Sequence, residues 1–155
     1  MSKTSRNIVL VLAVCVLVLP APLVAKKQVT RPFKISGNMT LVLDLTTMAW
    51  EMEDWGQATH MGRYANEGSG SVADASLADG AGSGVNTVAS GDGVFWHIVA
   101  DGGVWTVTFT GGTGRFAGAT GSFIAVPGAM VVAAGPGPAQ LTYTLAYTGN
   151  GTITY

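Results

Sequence analysis

From Phe33 onward the chain runs in short apolar–polar alternations broken by glycine pairs. Met39, Leu41, Leu43 and Leu45 alternate with Thr40, Val42, Asp44 and Thr46, the period-two pattern of a strand with one buried face. This predicts a first strand over residues 33–45 and a turn at Thr47-Met48. Residues 49–59 follow with Trp50 and Met52 on one side and Glu51 and Glu53 on the other. Asp54-Trp55-Gly56 interrupts that alternation and suggests a bulge or bend. Residues 66–84, dense in Gly, Ser and Ala, read as short strands with flexible turns. Residues 85–89 and 94–100 flank Ser90-Gly91-Asp92-Gly93, and Asp101-Gly102-Gly103 leads into residues 104–110; both joints are hairpin signals. Further strands are expected at 123–126, 129–134 and 141–148, with Gly135-Pro136-Gly137-Pro138 as a loop. Residues 152–155 end the chain inside a strand pattern, which predicts a paired C-terminus.

Nowhere does a helical period appear. The straight-chain residues that long amphipathic helices need are scarce, while Thr, Val and aromatic residues are frequent. The expectation is all-β: a single antiparallel barrel of about eight strands, closed so that no edge is left open. A two-sheet sandwich is the alternative, though the Cys…Trp…Cys pattern of an immunoglobulin-type core is missing.

Residues 1–25 have the layout of a secretory signal peptide. Lys3 and Arg6 precede an apolar run from Ile8 to Leu19, Pro20-Ala21-Pro22 breaks it, and Leu23-Val24-Ala25 offers a cleavage site before Lys26-Lys27. The run is short for a membrane span; an uncleaved anchor is the competing reading. Val14 before Cys15 argues against a lipoprotein signal. Cleavage leaves residues 26–32 as a polar lead-in and 33–155 as one domain, long enough for a real core. It also removes Cys15, the only cysteine, so an exported mature chain relies on packing and strand pairing instead of disulfides. Losing two of eight basic residues against nine acidic ones leaves a net charge of −3, the wrong sign for nucleic acid or an anionic membrane surface. All 22 glycines lie beyond residue 25.

The densest glycine run is Gly111-Gly112-Thr113-Gly114-Arg115-Phe116-Ala117-Gly118-Ala119-Thr120-Gly121. It has no Gly-Lys-Ser/Thr and no helix to follow, which excludes a Walker loop; its spacing and lack of a βαβ unit exclude a dinucleotide fingerprint. A structural joint between strands remains, with Arg115 tying it to a nearby carbonyl or carboxylate. This run resembles the signature of the allene oxide cyclase and dirigent barrel superfamily. Residues 57–64 and 147–155 resemble its bacterial exported branch, mostly of unknown function. The resemblance covers most of residues 33–155 and implies an eight-stranded, calycin-like barrel with an internal cavity. Plant enzymes of that superfamily use acidic and polar residues inside the barrel, but no position of this chain is matched to them one by one.

Candidate site residues follow from the strand phases. Trp105, Val107 and Phe109 share one strand face, and Tyr143 and Tyr147 another; in a barrel these faces line the lumen and are the expected contacts for a small hydrophobic molecule. His60, Arg63 and Tyr64 form a polar cluster, read either as an anion contact at a barrel mouth or as a knot bonding strand ends. His97, between Trp96 and Ile98, is expected to be half-buried and bonded to a neighbour. Glu51, Glu53 and Asp54 could pair as acid and base, since positions two apart share a strand face, but an outward, solvated carboxylate row is the preferred reading. Two histidines without His-x-x-x-His spacing and no cysteine after the leader argue against a zinc site. No Ser/His/Asp set or nucleophile elbow is present. No cofactor and no catalytic set is assigned. Three functions fit: a non-catalytic barrel holding a small apolar molecule outside the cytoplasm, a cyclase-like or dirigent-like enzyme or coupling chaperone, and an envelope-associated structural domain with a filled core. Export itself has a direct check: mass spectrometry of the mature protein should place its N-terminus near Lys26, and an intact Met1 or Ser2 terminus on extracellular material would refute the signal-peptide reading.

Overall fold

A computed structural model describes residues 27–155; the leader and Cys15 lie outside the described residues. Eight strands follow one another: β1 (Thr30–Asp44), β2 (Ala49–Ala58), β3 (Gly62–Val72), β4 (Gly80–Val88), β5 (Gly93–Asp101), β6 (Val104–Gly112), β7 (Thr120–Ala134) and β8 (Gln140–Thr154), with one 3-10 turn at Gly114–Phe116. Each strand pairs antiparallel with the next, and β8 returns to β1 from Thr30↔Thr154 to Asp44↔Gln140. The sheet is therefore a closed barrel and the fold is all-β. Period two decides what faces inward. Phe33, Ile35, Met39, Leu41 and Leu43 of β1 are buried, as are Trp50 and Ala58 of β2, Trp105, Val107 and Phe109 of β6, and Tyr143, Leu145, Tyr147 and Ile153 of β8.

Several local expectations change. The lead-in is already strand from Thr30, because Thr30, Arg31 and Pro32 pair with Thr154, Ile153 and Thr152. Proline is tolerated there because β2 reaches β1 only from Ile35 onward, so Pro32 sits where one side of the ladder is unused. Residues 66–84 belong to two regular strands. The glycines that make this stretch look loose face the lumen, where they leave room for two indoles. A Cβ on Gly68 would lie 2.6 Å from the Trp96 ring, and one on Gly70 2.6 Å from the Trp50 ring; Gly84 and Gly82 on β4 clear the same two rings. Residues 123–126 and 129–134 are parts of one strand, with a bulge after Pro127 that shifts the register against β8 by one. No bulge occurs at Asp54-Trp55-Gly56, which pair in step on both sides.

The glycine run closes one end of the barrel. Phe116 in its 3-10 turn is fully buried, stacks edge-on against Tyr155 at 5.2 Å, and carries the Arg115 guanidinium 4.7 Å above its ring. Arg115 donates from Nη2 to the Met61 carbonyl at 3.3 Å, and its Nε lies 3.7 Å from the Asp92 carboxylate. The tie expected of Arg115 is thus present, to a carbonyl and a carboxylate. Beneath the turn, Phe33, Phe109 and Phe123 form an aromatic plug with centroids 5.0–5.7 Å apart. The opposite end is covered by the β3–β4 connection, where Leu77 is buried and the Ala75 carbonyl accepts from the Tyr143 hydroxyl at 2.8 Å.

Gly121 carries the sharpest requirement in the glycine run. Its φ is +120°, and a Cβ there would collide with the Thr152 carbonyl of β8. Gly121→Val should therefore cost about 1–3 kcal/mol from backbone strain alone, roughly 5–15 °C in thermal midpoint for a domain of this size. A variant melting with the wild type would show that the run is not structural.

Candidate functional site

The lumen holds a polar layer that comes from one cross-strand row. Asp54 of β2 pairs with Asn66 of β3, and Asn66 pairs with Asn86 of β4. All three are buried; Asp54 is 3% exposed and Asn86 2%. Asp54 points inward because it continues the phase of Trp50 and Met52, which corrects its expected place in an outward carboxylate row. Glu51 and Glu53 are exposed as expected.

The next row toward the glycine-run end is Tyr147 of β8, Gly37 of β1, Gly56 of β2 and Tyr64 of β3. The two strand glycines make space for a pair of phenols that meet across them. A Cβ on Gly37 or on Gly56 would lie 2.6 Å from the Tyr64 hydroxyl oxygen. With both absent, the Tyr64 and Tyr147 hydroxyls approach to 2.7 Å. Tyr147 donates to Asp54 Oδ2 at 3.2 Å, and Asn66 Nδ2 donates to the same oxygen at 2.6 Å. Trp96 Nε1 in turn donates to Asn66 Oδ1 at 2.9 Å. The Asn66 amide is therefore fixed by an indole on one side and a carboxylate on the other.

Two acceptors are left over. Asp54 Oδ1 and Asn86 Oδ1 are buried and lack a hydrogen-bond partner among the described residues. Both residues line one chamber of about 40 Å³, with Ile35, Trp105, Val107 and Phe123 among its apolar walls. A chamber of that volume holds about two or three waters. A second, wholly apolar chamber of about 40 Å³ lies toward the other end, between Leu41, Trp50, Val72 and Leu77. Met39, Met52, Ile98 and Trp105 border both chambers and form the partition between them.

Burial raises the Asp54 carboxyl above the ordinary aspartate value, and the hydrogen bonds from Asn66 and Tyr147 only partly offset this. Desolvation first, and the Asp54 charge second, push both tyrosines far above the ordinary phenol range, so they act as neutral donors. The layer thus presents one titrating carboxyl, held on one oxygen and open on the other, beside an open amide oxygen.

The residues expected to form the site divide. Trp105, Val107 and Tyr147 wall the polar chamber. Phe109 belongs to the aromatic plug and Tyr143 to the opposite cap, so neither reaches it. The His60/Arg63/Tyr64 cluster does not exist as such. Tyr64 points inward, whereas His60 and Arg63 are exposed, and His60 Nε2 lies 3.1 Å from the Pro32 carbonyl. That contact fits the strand-end knot. His97 is exposed, not half-buried, and has no side-chain hydrogen bond among the described residues; it faces outward because Trp96 and Ile98 take the inward phase. Among the described residues no three His, Cys, Asp or Glu side chains gather as a metal site would need. Asp54, Asn66, Asn86 and Trp96 were missed. The signal for Asp54 was its even-numbered phase with Trp50 and Met52, and for the tyrosine pair it was the two glycines inside otherwise regular strands.

Comparison with protein-family models, with curated proteins and with solved structures finds no match to this chain.

The Asp54 carboxyl makes stability pH-dependent. Its folded value lies above its unfolded one, so the native state holds a proton more tightly. Stability is then complete below the unfolded value near 3.8 and falls as pH rises through the raised folded value. Asp54→Asn keeps the shape and an acceptor for Asn66 and Tyr147 but cannot ionise. Denaturant unfolding from pH 4 to 8 should show the wild type losing stability relative to Asp54→Asn as pH rises; parallel curves would refute a raised Asp54.

Proposed function

We propose that this chain is an exported barrel that binds, in its lumen and without turning it over, a small molecule with an apolar body and one hydrogen-bond-donating group such as a hydroxyl or amine. The observation that carries this reading is the pair of open acceptors, Asp54 Oδ1 and Asn86 Oδ1, aimed into one apolar-walled chamber. Buried acceptors without donors are costly, and a donor-bearing occupant relieves both at once. At about 40 Å³ the chamber admits only the donor group and a few heavy atoms of such a molecule; the rest of its apolar body needs the second chamber as well. Binding is favoured over catalysis because no Ser, Cys, Thr, Lys or His joins Asp54 in the chamber lining to form a nucleophile–base set. The likeness of the glycine run to allene oxide cyclase and dirigent barrels supports a lumen site, and residues 1–25 support export.

The filled structural barrel is the second reading, favoured by the small volume of the chamber. A ligand larger than two or three waters needs the partition to move. Met39 and Met52 suit that role, since an unbranched thioether chain repacks at low cost; their displacement would join the two chambers.

The test is a tryptophan fluorescence and thermal-shift titration with short alcohols, amines and phenols. Trp96 and Trp105 border the chamber and should report occupancy. Saturable one-to-one binding is expected for the wild type, weakened about tenfold or more in Asp54→Asn, where an amide N–H replaces the open acceptor. If no compound shifts the folded wild type, the filled barrel is the better account.

A further inference from the structure

The barrel is closed, yet part of one strand has no neighbour. β6 begins at Val104 and pairs with β7 only from Trp105↔Ala125 to Phe109↔Gly121. β7 continues through Ala134, held on its other side by β8 up to Ala134↔Leu141. From Val126 to Ala134 the β6 side of β7 therefore carries backbone N–H and C=O groups without a strand partner, and no other backbone hydrogen bond reaches this side among the described residues. Alternation of burial carries on across the bulge to Met130, which packs on the core, and stops after it: Val131 is 65% exposed and Val132 52%, although their side chains lie on opposite faces.

Open edges in soluble proteins usually carry a lysine, a proline or a bulge that blocks pairing. Pro127 and the adjoining bulge protect only the start of this one. The segment Ala129-Met130-Val131-Val132-Ala133-Ala134 has none of these devices. No charged residue occurs anywhere after Arg115, so β7, β8 and their connection are uncharged throughout.

We propose that this edge pairs with the same edge of a second copy of the chain, antiparallel, through residues 129–134. A charged peptide would gain no electrostatic complement there. Two copies meet without like-charge repulsion, and each brings the same unpaired row of backbone donors and acceptors. Antiparallel pairing of identical segments is two-fold symmetric and uses up the edge on both copies, so the assembly stops at a dimer. Val126 and Val104, exposed on the outer face where β6 begins, would lie beside the joint and lose surface with it.

Sedimentation of the purified protein should show a concentration-dependent dimer at about 100 µM, and Val131→Lys or Val132→Lys should weaken it by about tenfold or more, one to two units of log Kd. Glu51→Lys, on exposed β2, should leave it intact. Thermal unfolding of diluted samples checks that the lysine variants fold. Hydrogen exchange locates the contact: the amides of residues 129–134 should slow on going from dilute to concentrated wild type. A monomer at that concentration overturns the proposal, whether or not it binds lipid vesicles through the same hairpin. A dimer that survives both lysine substitutions, or whose 129–134 amides exchange equally fast at all concentrations, also overturns it.

Discussion

The constraint that organises this molecule is the narrowness of an eight-stranded lumen. Such a barrel is just wide enough to be filled by its own inward side chains, and this chain places three indoles, three phenols and several phenyl rings there. They fit only because other inward positions have no side chain at all. Gly68, Gly70, Gly82 and Gly84 lie under Trp50 and Trp96, and Gly37 and Gly56 lie under the tyrosine pair. Large and absent side chains alternate around the barrel wall, and the polar layer, both chambers and their partition are what this complementary filling leaves.

The fold was legible because strand phase is a local property. Runs such as residues 33–45 and 141–148 show period two directly, and Asp-Gly and Gly-Gly pairs mark hairpins. The β3–β4 region was harder. Its glycines weaken strand propensity, and their purpose becomes visible only when Trp50 and Trp96, distant in sequence, come to rest on them. The candidate site was half legible for the same reason. Trp105, Val107 and Tyr147 followed from phase. Asp54 was set aside because a carboxylate beside Glu51 and Glu53 resembles a solvated row, although its position in the alternation put it inside. The network that admits it is cross-strand, from Asn66, Tyr147 and Trp96, and no local window contains those partners.

The polar layer sits between two well-filled ends. An aromatic plug and a buried phenylalanine close one, and a short connection capped by the Tyr143 bond closes the other. An apolar surround strengthens each hydrogen bond to Asp54 and equally raises the cost of the oxygen left open. Stability alone would favour a hydrocarbon there; a retained carboxyl with one free lone-pair face is a feature that binding can use and packing cannot.

The joining of β1 to β8 bears on how the chain reaches its fold. Thr30 and Thr154 touch through their hydroxyls across 124 positions of sequence, so the last seam of the cylinder is made from the two extremes of the domain. Contacts this remote are slow to form, and a nascent chain without its final strand leaves the inner faces of β1 and β7 open to solvent. The topology itself delays closure of the cylinder until the final strand has arrived.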